Sequence, residues 1–166
     1  AGCWQTVVQL TTIEAATRRM PVPMPQDRAT RITIRPSREA DKAQVLALIE
    51  PYVEQRKILP RTVEDLEGLL ANAFVAVANR QIVGFVALEV YSRKLAEVRS
   101  LVVAAEHQGR GIGKRLVQAC VERAQEKRIF EVMAITSEEG FFRSCGFDFT
   151  LPGEKKAFFI QTREQH

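Results

Sequence analysis

The segment Leu101-Val-Val-Ala-Ala-Glu-His-Gln-Gly-Arg-Gly-Ile-Gly-Lys-Arg-Leu116 decides the predicted fold. It begins as an apolar strand pattern, passes through glycines at 109, 111 and 113, and ends as an amphipathic helix pattern. Glycine permits positive φ and close approach of a ligand to the backbone. The first N–H groups of a helix lack intrahelical partners and lie at the positive end of its dipole. Because Lys114 and Arg115 add charge, the segment predicts a phosphate or pyrophosphate site.

Two common phosphate-binding loops are excluded by spacing. A dinucleotide fingerprint GxGxxG beginning at Gly109 would need glycine where Lys114 stands. A Walker loop ending at Gly113 would need glycine at Gln108 and a hydroxyl residue at Arg115. The loop therefore belongs to a different class of anion site.

The patterns on both sides of this segment predict a mixed sheet with helices packed on it, an α+β architecture. A β-hairpin is expected at 73–90, with Asn79-Arg80-Gln81 between its strands. Other strands are expected at 31–35, 97–103, 129–135, 147–149 and 157–162. Helices are expected after an N-cap at Ser37, after a cap at Thr62, at 112–128, and from a capping box at Thr136 to Gly146. The apolar face of the first helix is predicted to comprise Ala40, Ala43, Leu46, Ile49 and Val53.

Length and composition limit the class of protein. A chain of 166 residues is suited to one domain, predicted here to span residues 31–166. Residues 1–30 contain prolines at alternate positions and are predicted to be an extension outside the core fold. No apolar run approaches the ~20 residues that cross a bilayer, so no membrane span is expected.

Charge and cysteine usage exclude further classes. The formal charge of +4 is a small excess with no clustered basic stripe, so the sequence does not favour nucleic acid as a partner. Cys3, Cys120 and Cys145 lie far apart without CxxC spacing and predict neither a disulfide framework nor a zinc site. His107 and His166 are isolated, so no metal site is expected. A reducing, cytoplasmic location fits this pattern.

Two motifs carry a family resemblance. Gln108-Gly-Arg-Gly-Ile-Gly113 fits the pattern QxxGxG, and Phe141-Phe-Arg-Ser-Cys-Gly-Phe147 fits a late helix ending in a Gly-Phe pair. Together they resemble the GCN5-related N-acetyltransferase (GNAT) superfamily. The resemblance implies a mixed, mostly antiparallel central sheet flanked by helices, whose splayed fourth and fifth strands hold acetyl-CoA as co-substrate.

The resemblance also implies cofactor-binding residues. The pantetheine arm would pair with the backbone of Leu101, Val102 and Val103, and the Leu101 backbone would polarise the thioester carbonyl as an oxyanion hole does. The remaining predicted contacts form the loop that would receive the pyrophosphate: Gln108, Gly109, Arg110, Gly111, Ile112, Gly113 and Lys114.

Acetyl transfer needs a neutral amine, so a base must remove its proton. Glu97 lies where some superfamily members carry a catalytic glutamate; the alternative is an ion pair with Arg99 that only orders the strand. Strand periodicity predicts that Glu97, Arg99 and Leu101 share one face. Phe142 stands where the superfamily usually has a tyrosine that protonates the leaving thiolate. Cys145, Ser144 or Tyr91 is then the donor, or the thiolate leaves unassisted.

Within the superfamily, Leu59-Pro-Arg61 and Leu95-Ala-Glu-Val-Arg-Ser-Leu101 resemble the short, stand-alone N-acetylglutamate synthases. This implies a small-molecule acceptor, glutamate or a similar acidic amino acid, and a role in arginine biosynthesis. Arg61 and Arg99 would bind its carboxylates, with Lys155 or Lys156 assisting. Acetylation of a protein N-terminus, lysine or another small amine, and a non-catalytic acetyl-CoA-binding module, remain alternatives. A homodimer formed through the C-terminal strands is also compatible with the resemblance.

Overall fold

In the part of the chain that the structure describes, five strands form one sheet in the order β1-β2-β3-β4-β5, and only the β4–β5 pair among them is parallel. The computed structural model of the protein describes residues 31–55 and 63–149. The strands and helices in chain order are β1 Thr33–Pro36, α1 Lys42–Glu54, α2 Val63–Leu70, β2 Ala73–Ala78, β3 Gln81–Val90, β4 Leu95–Val103, α3 Ile112–Glu126, β5 Glu131–Met133 and α4 Glu139–Ser144. The α+β architecture predicted from the sequence is confirmed.

The β2–β3 hairpin forms at the predicted place. Asn79 and Arg80 have φ of 48° and 66°, so both central residues of the turn are left-handed, as a two-residue type I′ turn requires. Gln81 pairs with Ala78 and thus belongs to β3 rather than to the loop. The turn twists with the strands and fixes their register.

The helices cover the two faces of the sheet. On one face α3 buries Ile112, Leu116, Val117, Cys120 and Ala124 against the strands. On the other face α1 and α2 bury a second cluster that includes Val45, Ile49 and Leu66. Gly84 of β3 permits the close approach of α3, because a Cβ there would lie 3.0 Å from Leu116 Cδ1. Each face thus packs against its own helices.

The start of α1 differs from the prediction. The Ser37 hydroxyl donates to the Leu70 carbonyl at 2.8 Å and caps no helix. The Asp41 carboxylate instead accepts the Arg38 N–H at 2.8 Å and both terminal nitrogens of Arg35. Ala40 and Ala43 are exposed, whereas Asp41, Val45 and Ile49 are buried. Of the predicted apolar face, Ile49 is buried and Leu46 and Val53 pack against the same cluster, so the prediction fails only at Ala40 and Ala43.

The region after α3 is less regular than predicted. Thr136 forms no capping box; its hydroxyl accepts the Glu138 N–H at 2.9 Å, and α4 begins only at Glu139. The predicted glycine end is confirmed: Gly146 has φ of 90°, and the Phe147 N–H donates to the Phe142 carbonyl at 3.1 Å. Residues 147–149 are not a strand, and β5 spans only Glu131–Met133. The predicted extension at 1–30, cap at Thr62 and strand at 157–162 lie outside the described residues.

A bulge interrupts β4 at Ser100. Arg99 pairs with Ala87 and Val102 pairs with Phe85, so Ser100 and Leu101 together oppose the single residue Val86. Ser100 has φ of 53°, in the left-handed region that side chains other than glycine seldom adopt. Strain of this kind is concentrated at functional sites.

Candidate active site

Strands β4 and β5 separate at Glu97. Their pairing runs from Leu95↔Glu131 to Glu97↔Met133, but β4 continues to Val103. Among the described residues, no strand pairs with the β5-facing edge of β4 beyond Glu97. The predicted splay is therefore present and leaves backbone groups on that edge available to an extended ligand.

The glycine loop joins the end of β4 to α3. Gly109 and Gly111 both have φ of 72°, and a Cβ built on either would meet no atom within 4 Å. The side of the loop at these positions is open, and Gly111 directly precedes the first residue of α3. This open backbone at a helix N-terminus fits a phosphate or pyrophosphate group. Gly113 has another role, because its missing Cβ leaves room for the Phe141 ring at 3.3 Å.

Gln108 and Tyr52 anchor the loop to the end of β4. The Tyr52 hydroxyl donates to the Val103 carbonyl at 2.6 Å, and the Gln108 side-chain amide donates to the same oxygen at 2.9 Å. The Gln108 amide also lies 3.2 Å from the Tyr52 hydroxyl. These bonds tie α1, β4 and the loop together. Gln108 thus holds the loop by its side chain.

Glu97 lies in a polar cluster at the fork between β4 and β5. It is only 7% exposed, and its carboxylate accepts a hydrogen bond from the Tyr91 hydroxyl. The Arg99 Nε lies 4.0 Å from Glu97 Oε1, and Arg99 Nη1 pairs with Glu89. Partial desolvation and the bond to the Glu97 carboxylate raise the pKa of Tyr91 to about 12, so its phenol remains a donor at neutral pH. The cluster holds a buried carboxylate where the strands separate.

Leu101 does not share a face with Glu97 and Arg99, contrary to the prediction. Arg99 is opposite Ala87, which belongs to the α1–α2 side, whereas Leu101 packs against the cluster that faces α3. The bulge at Ser100 reverses the alternation of side chains after Arg99. The carboxylate cluster and the Leu101 side chain therefore lie on opposite sides of the sheet.

Two arginines were predicted to bind substrate carboxylates, and the structure describes one of them, Arg99. Its guanidinium is already paired with Glu89. That ion pair raises the pKa of Arg99. Arg61, Lys155 and Lys156 lie outside the described residues.

The predicted alternatives for a proton donor have different surroundings. Phe142 packs edge-to-face on Phe141 and Phe147, with ring centroids 5.2 and 5.3 Å away. The Ser144 hydroxyl donates to the Phe141 carbonyl at 2.7 Å, and Cys145 packs against the α3-side cluster. Of these alternatives, Tyr91 is the one in contact with Glu97.

Sequence reasoning missed two members of the site. From the sequence alone, Tyr52 is only one more position of the first predicted helix. Glu89 is only one polar residue near the end of a predicted strand. Glu89 could have been recognised as part of the site because it is opposite Glu97 on the neighbouring strand. That pairing cannot be known until the β3–β4 register is known. Tyr52 approaches the loop only through the packing of α1 on the sheet, for which the local sequence has no signal.

The fork between strands, the glycine loop and the buried carboxylate define a class of protein. The open edge of β4 begins at Glu97 and runs to Val103, just before the glycine loop. Within the described ranges 31–55 and 63–149, no helix is long and apolar enough to cross a membrane. The same residues contain no group of three or more potential ligands placed to hold a metal ion. The arrangement is that of a group-transferring enzyme with a nucleotide-linked donor.

Comparison with known proteins identifies the family. A family model described as "Acetyltransferase (GNAT) domain" matches residues 70–148. A protein of Chlorobaculum tepidum named as an uncharacterized N-acetyltransferase is 34% identical over 114 residues, which are 69% of this chain and 74% of that protein. The chain belongs to the GNAT acetyltransferases, acyltransferases whose co-substrate is acetyl-CoA.

Two solved structures extend the comparison. A Mycobacterium tuberculosis protein in complex with CoA matches with a TM-score of 0.65 and 25% identity, over 71% of this chain and 74% of that one. N-acetylglutamate synthase from Neisseria gonorrhoeae, complexed with coenzyme A and N-acetyl-glutamate, matches with a TM-score of 0.63 and 25% identity. The match covers 69% of this chain but only 27% of that synthase, so the similarity concerns one part of the larger enzyme.

Proposed function

We propose that this protein transfers the acetyl group of acetyl-CoA to the α-amino group of glutamate or a similar small acidic amino acid. The observation that carries the proposal is the position of Glu97, buried at the last β4–β5 pair, where the open strand edge begins. The carboxylate lies where a donor bound along β4 and an incoming amine would meet.

The donor is proposed to bind along β4 and the glycine loop. Backbone groups of Leu101, Val102 and Val103 pair with the pantetheine arm, and the loop from Gln108 to Lys114 receives the pyrophosphate. The open space beside Gly109 and Gly111 supports this placement, since a phosphate can approach their N–H groups without meeting a side chain. Arg110 and Lys114 are exposed beside the loop and add positive charge.

In the proposed reaction, the neutral amine attacks the thioester carbonyl carbon. A C–N bond forms, the C–S bond breaks, and the amine proton passes to Glu97. The Leu101 N–H stabilises the charge that develops on the carbonyl oxygen. The Phe142 ring cannot donate a proton, and the hydroxyls of Tyr91 and Ser144 already donate to Glu97 and to the Phe141 carbonyl. We therefore propose that the thiolate leaves without an acid and takes its proton from water. A thiol pKa of about 8.5 makes this departure feasible.

The acceptor is proposed from the structural relatives and from the arginine in the cluster. The Neisseria gonorrhoeae synthase was solved with N-acetyl-glutamate, and it shares the fold of this chain. Arg99 is placed beside Glu97 and has the planar, charged group that binds carboxylates. With Arg61 as the second cation, the site suits an acidic amino acid, and glutamate acetylation would connect the enzyme to arginine biosynthesis in the cytoplasm.

A thiol-release assay tests this function. The protein with acetyl-CoA is presented with glutamate, other amino acids, polyamines and peptides. We expect CoA release with glutamate or a similar amino acid, and a loss of about 10²–10⁴-fold in kcat for Glu97→Gln because the base is removed. Glu122→Gln on the exposed face of α3 is the matched control and should retain full activity. Release with peptides or polyamines alone would refute the amino-acid acceptor, and binding without release across the panel would indicate a non-catalytic module.

A further inference from the structure

Glu89 and Glu97 form an unfavourable pair across two strands. They are directly opposite in the β3–β4 register and therefore project from the same face of the sheet. Opposed like charges on neighbouring strands repel each other. Such a pair requires compensation from nearby positive or donating groups.

Arg99 and Tyr91 supply that compensation. Arg99 Nη1 is paired with Glu89 Oε2, while its Nε lies 4.0 Å from Glu97 Oε1. The Tyr91 hydroxyl donates to Glu97 and lies 3.4 Å from Glu89 Oε2. Two carboxylates against one guanidinium leave the four residues with a formal negative charge. Arg99 therefore has its charge already matched before an acceptor arrives.

The ion pair between Glu89 and Arg99 affects how strongly an acidic acceptor can bind. A substrate carboxylate that approaches Arg99 meets Glu89 on the same guanidinium and must compete with it. Glu89 is half-buried, so its ion pair is screened less than one on the open surface. The Glu89 carboxylate thus lowers the affinity of Arg99 for the carboxylate of an acidic acceptor.

We propose that Glu89 determines acceptor specificity by occupying Arg99 as an internal counter-ion that the substrate carboxylate must displace. The inference rests on the proposed function, because it assumes that an amino acid is the acceptor. Glu89 acts through Arg99 and is a positioning residue.

The test is a double-mutant cycle on the full chain with Glu89→Gln, Arg99→Gln and both together. Steady-state kinetics are measured with glutamate, glutamine and glutamate α-amide, which differ in which carboxylate they carry. In Glu89→Gln we expect the KM for glutamate to fall about tenfold. One of the two amides lacks the carboxylate that Arg99 binds, and the KM for that amide should change less than about twofold. In the Arg99→Gln background, Glu89→Gln should have no effect on this preference. Glu122→Gln again serves as the matched charge control.

The outcomes separate the two proposals. If the wild-type protein releases no CoA with any of the three acceptors, the amino-acid function fails, and the role of Glu89 fails with it. If the wild-type protein is active but Glu89→Gln leaves or raises KM for glutamate, only the role of Glu89 is refuted. An equal gain with all three acceptors, or a gain that persists without Arg99, would also refute it. Circular dichroism spectra of each variant verify that the comparison is made between folded proteins.

Discussion

Single glycines of this chain have different physical roles. Gly111 has φ of 72° and borders the N-terminus of α3, whereas Gly68 lies within α2 without a positive φ. A Cβ added at either position would meet no atom within 4 Å. The backbone conformation, rather than crowding, therefore distinguishes the two positions.

We expect Gly111→Ala to lower the free energy of unfolding by about 1–2 kcal/mol, because alanine disfavours the left-handed conformation. It should also raise the Kd for acetyl-CoA by about tenfold or more, the effect of losing one hydrogen bond to a charged group. Gly68→Ala is the control and should stabilise the protein by about 0.4–1 kcal/mol. Urea denaturation and calorimetric titration measure the two effects. Unchanged acetyl-CoA affinity in Gly111→Ala would contradict the role given to the loop.

Tyr91 makes stability depend on alkaline pH. Its pKa is about 12 in the folded protein, against an ordinary value near 10. The unfolded chain therefore releases this proton first as the pH rises above about 10. The stabilisation from Tyr91 is complete below that pH and is lost between about 10 and 12.

The urea midpoint of the wild-type protein should fall between about pH 9 and pH 11, and the fall should be smaller in Tyr91→Phe, which has no phenol to ionise. Circular dichroism at both pH values follows the transition. An equal fall of the urea midpoint in the two proteins would mean that ionisation of Tyr91 does not contribute to the loss of stability at alkaline pH.

At the scale of elements, the Arg35–Asp41 pair connects β1 to the start of α1. Its bonds of 2.7 and 2.9 Å join the two side chains, and the arginine lowers the pKa of the nearly buried Asp41 carboxyl. A carboxyl with a lowered folded-state pKa stabilises the protein above its unfolded pKa of about 4. This stabilisation is lost as the pH falls through the folded value.

Asp41→Asn should lower the free energy of unfolding at about pH 7 by about 1–3 kcal/mol, because a charged partner of Arg35 is removed. The variant should also lose less stability than wild type between about pH 6 and pH 3. Asp148→Asn is the control: its ion pair with Arg143 is exposed and should contribute about 0–1 kcal/mol. Equal effects of the two substitutions would contradict the special role of the buried carboxylate.

The sequence predicted those elements that local signals define. The glycines of the loop before α3, the glycine at the end of α4 and Asn79 in the hairpin turn are residues that tolerate a left-handed conformation, whereas Arg80 in the same turn adopts it without such a preference. The bulge could not be predicted, because Ser100 adopts a left-handed φ that its own side chain disfavours. Tertiary packing imposes that conformation. The cap at Ser37 failed for a related reason, since its hydroxyl is engaged by a distant carbonyl of α2.

The same limit applies to the candidate site. The loop residues were proposed from their motif and Glu97 from the family resemblance, whereas the Glu89 ion pair depends on strand register. The prediction that Leu101 shares a face with Glu97 was wrong, because alternation was assumed to continue through the bulge. The roles assigned to Glu97, Leu101, Arg99 and the loop stay predictions, which the kinetic and binding experiments test.

At the scale of the whole molecule, binding of the donor should stabilise the fold, because the proposed site on β4 and the loop exists only in the folded state. The bonds to the Val103 carbonyl also join this site to α1. Acetyl-CoA at about 100 times its Kd should add about 2.7 kcal/mol to the free energy of unfolding. Thermal denaturation with and without the ligand measures this shift. Glu97→Gln should retain the shift because Glu97 is assigned to the acceptor amine, whereas Gly111→Ala, with a Kd about tenfold higher, should lose about half of it at the same concentration. Loss of the shift in Glu97→Gln alone would contradict this division of roles.

The extra residue in β4 limits which substitutions and deletions this strand can accept. Ser100 places the side chains before and after it out of phase, so β4 presents Glu97 and Arg99 to one side of the sheet and a continuous aliphatic surface that includes Leu101 and Val103 to the other. If Ser100 instead adopted a regular strand conformation, alternation from Arg99 onward would exchange the sides taken by Leu101 and Val102. Homologous sequences that keep all nine strand positions here must therefore also keep a bulge, whereas a sequence one residue shorter at this point can place the same side chains on the same sides without one.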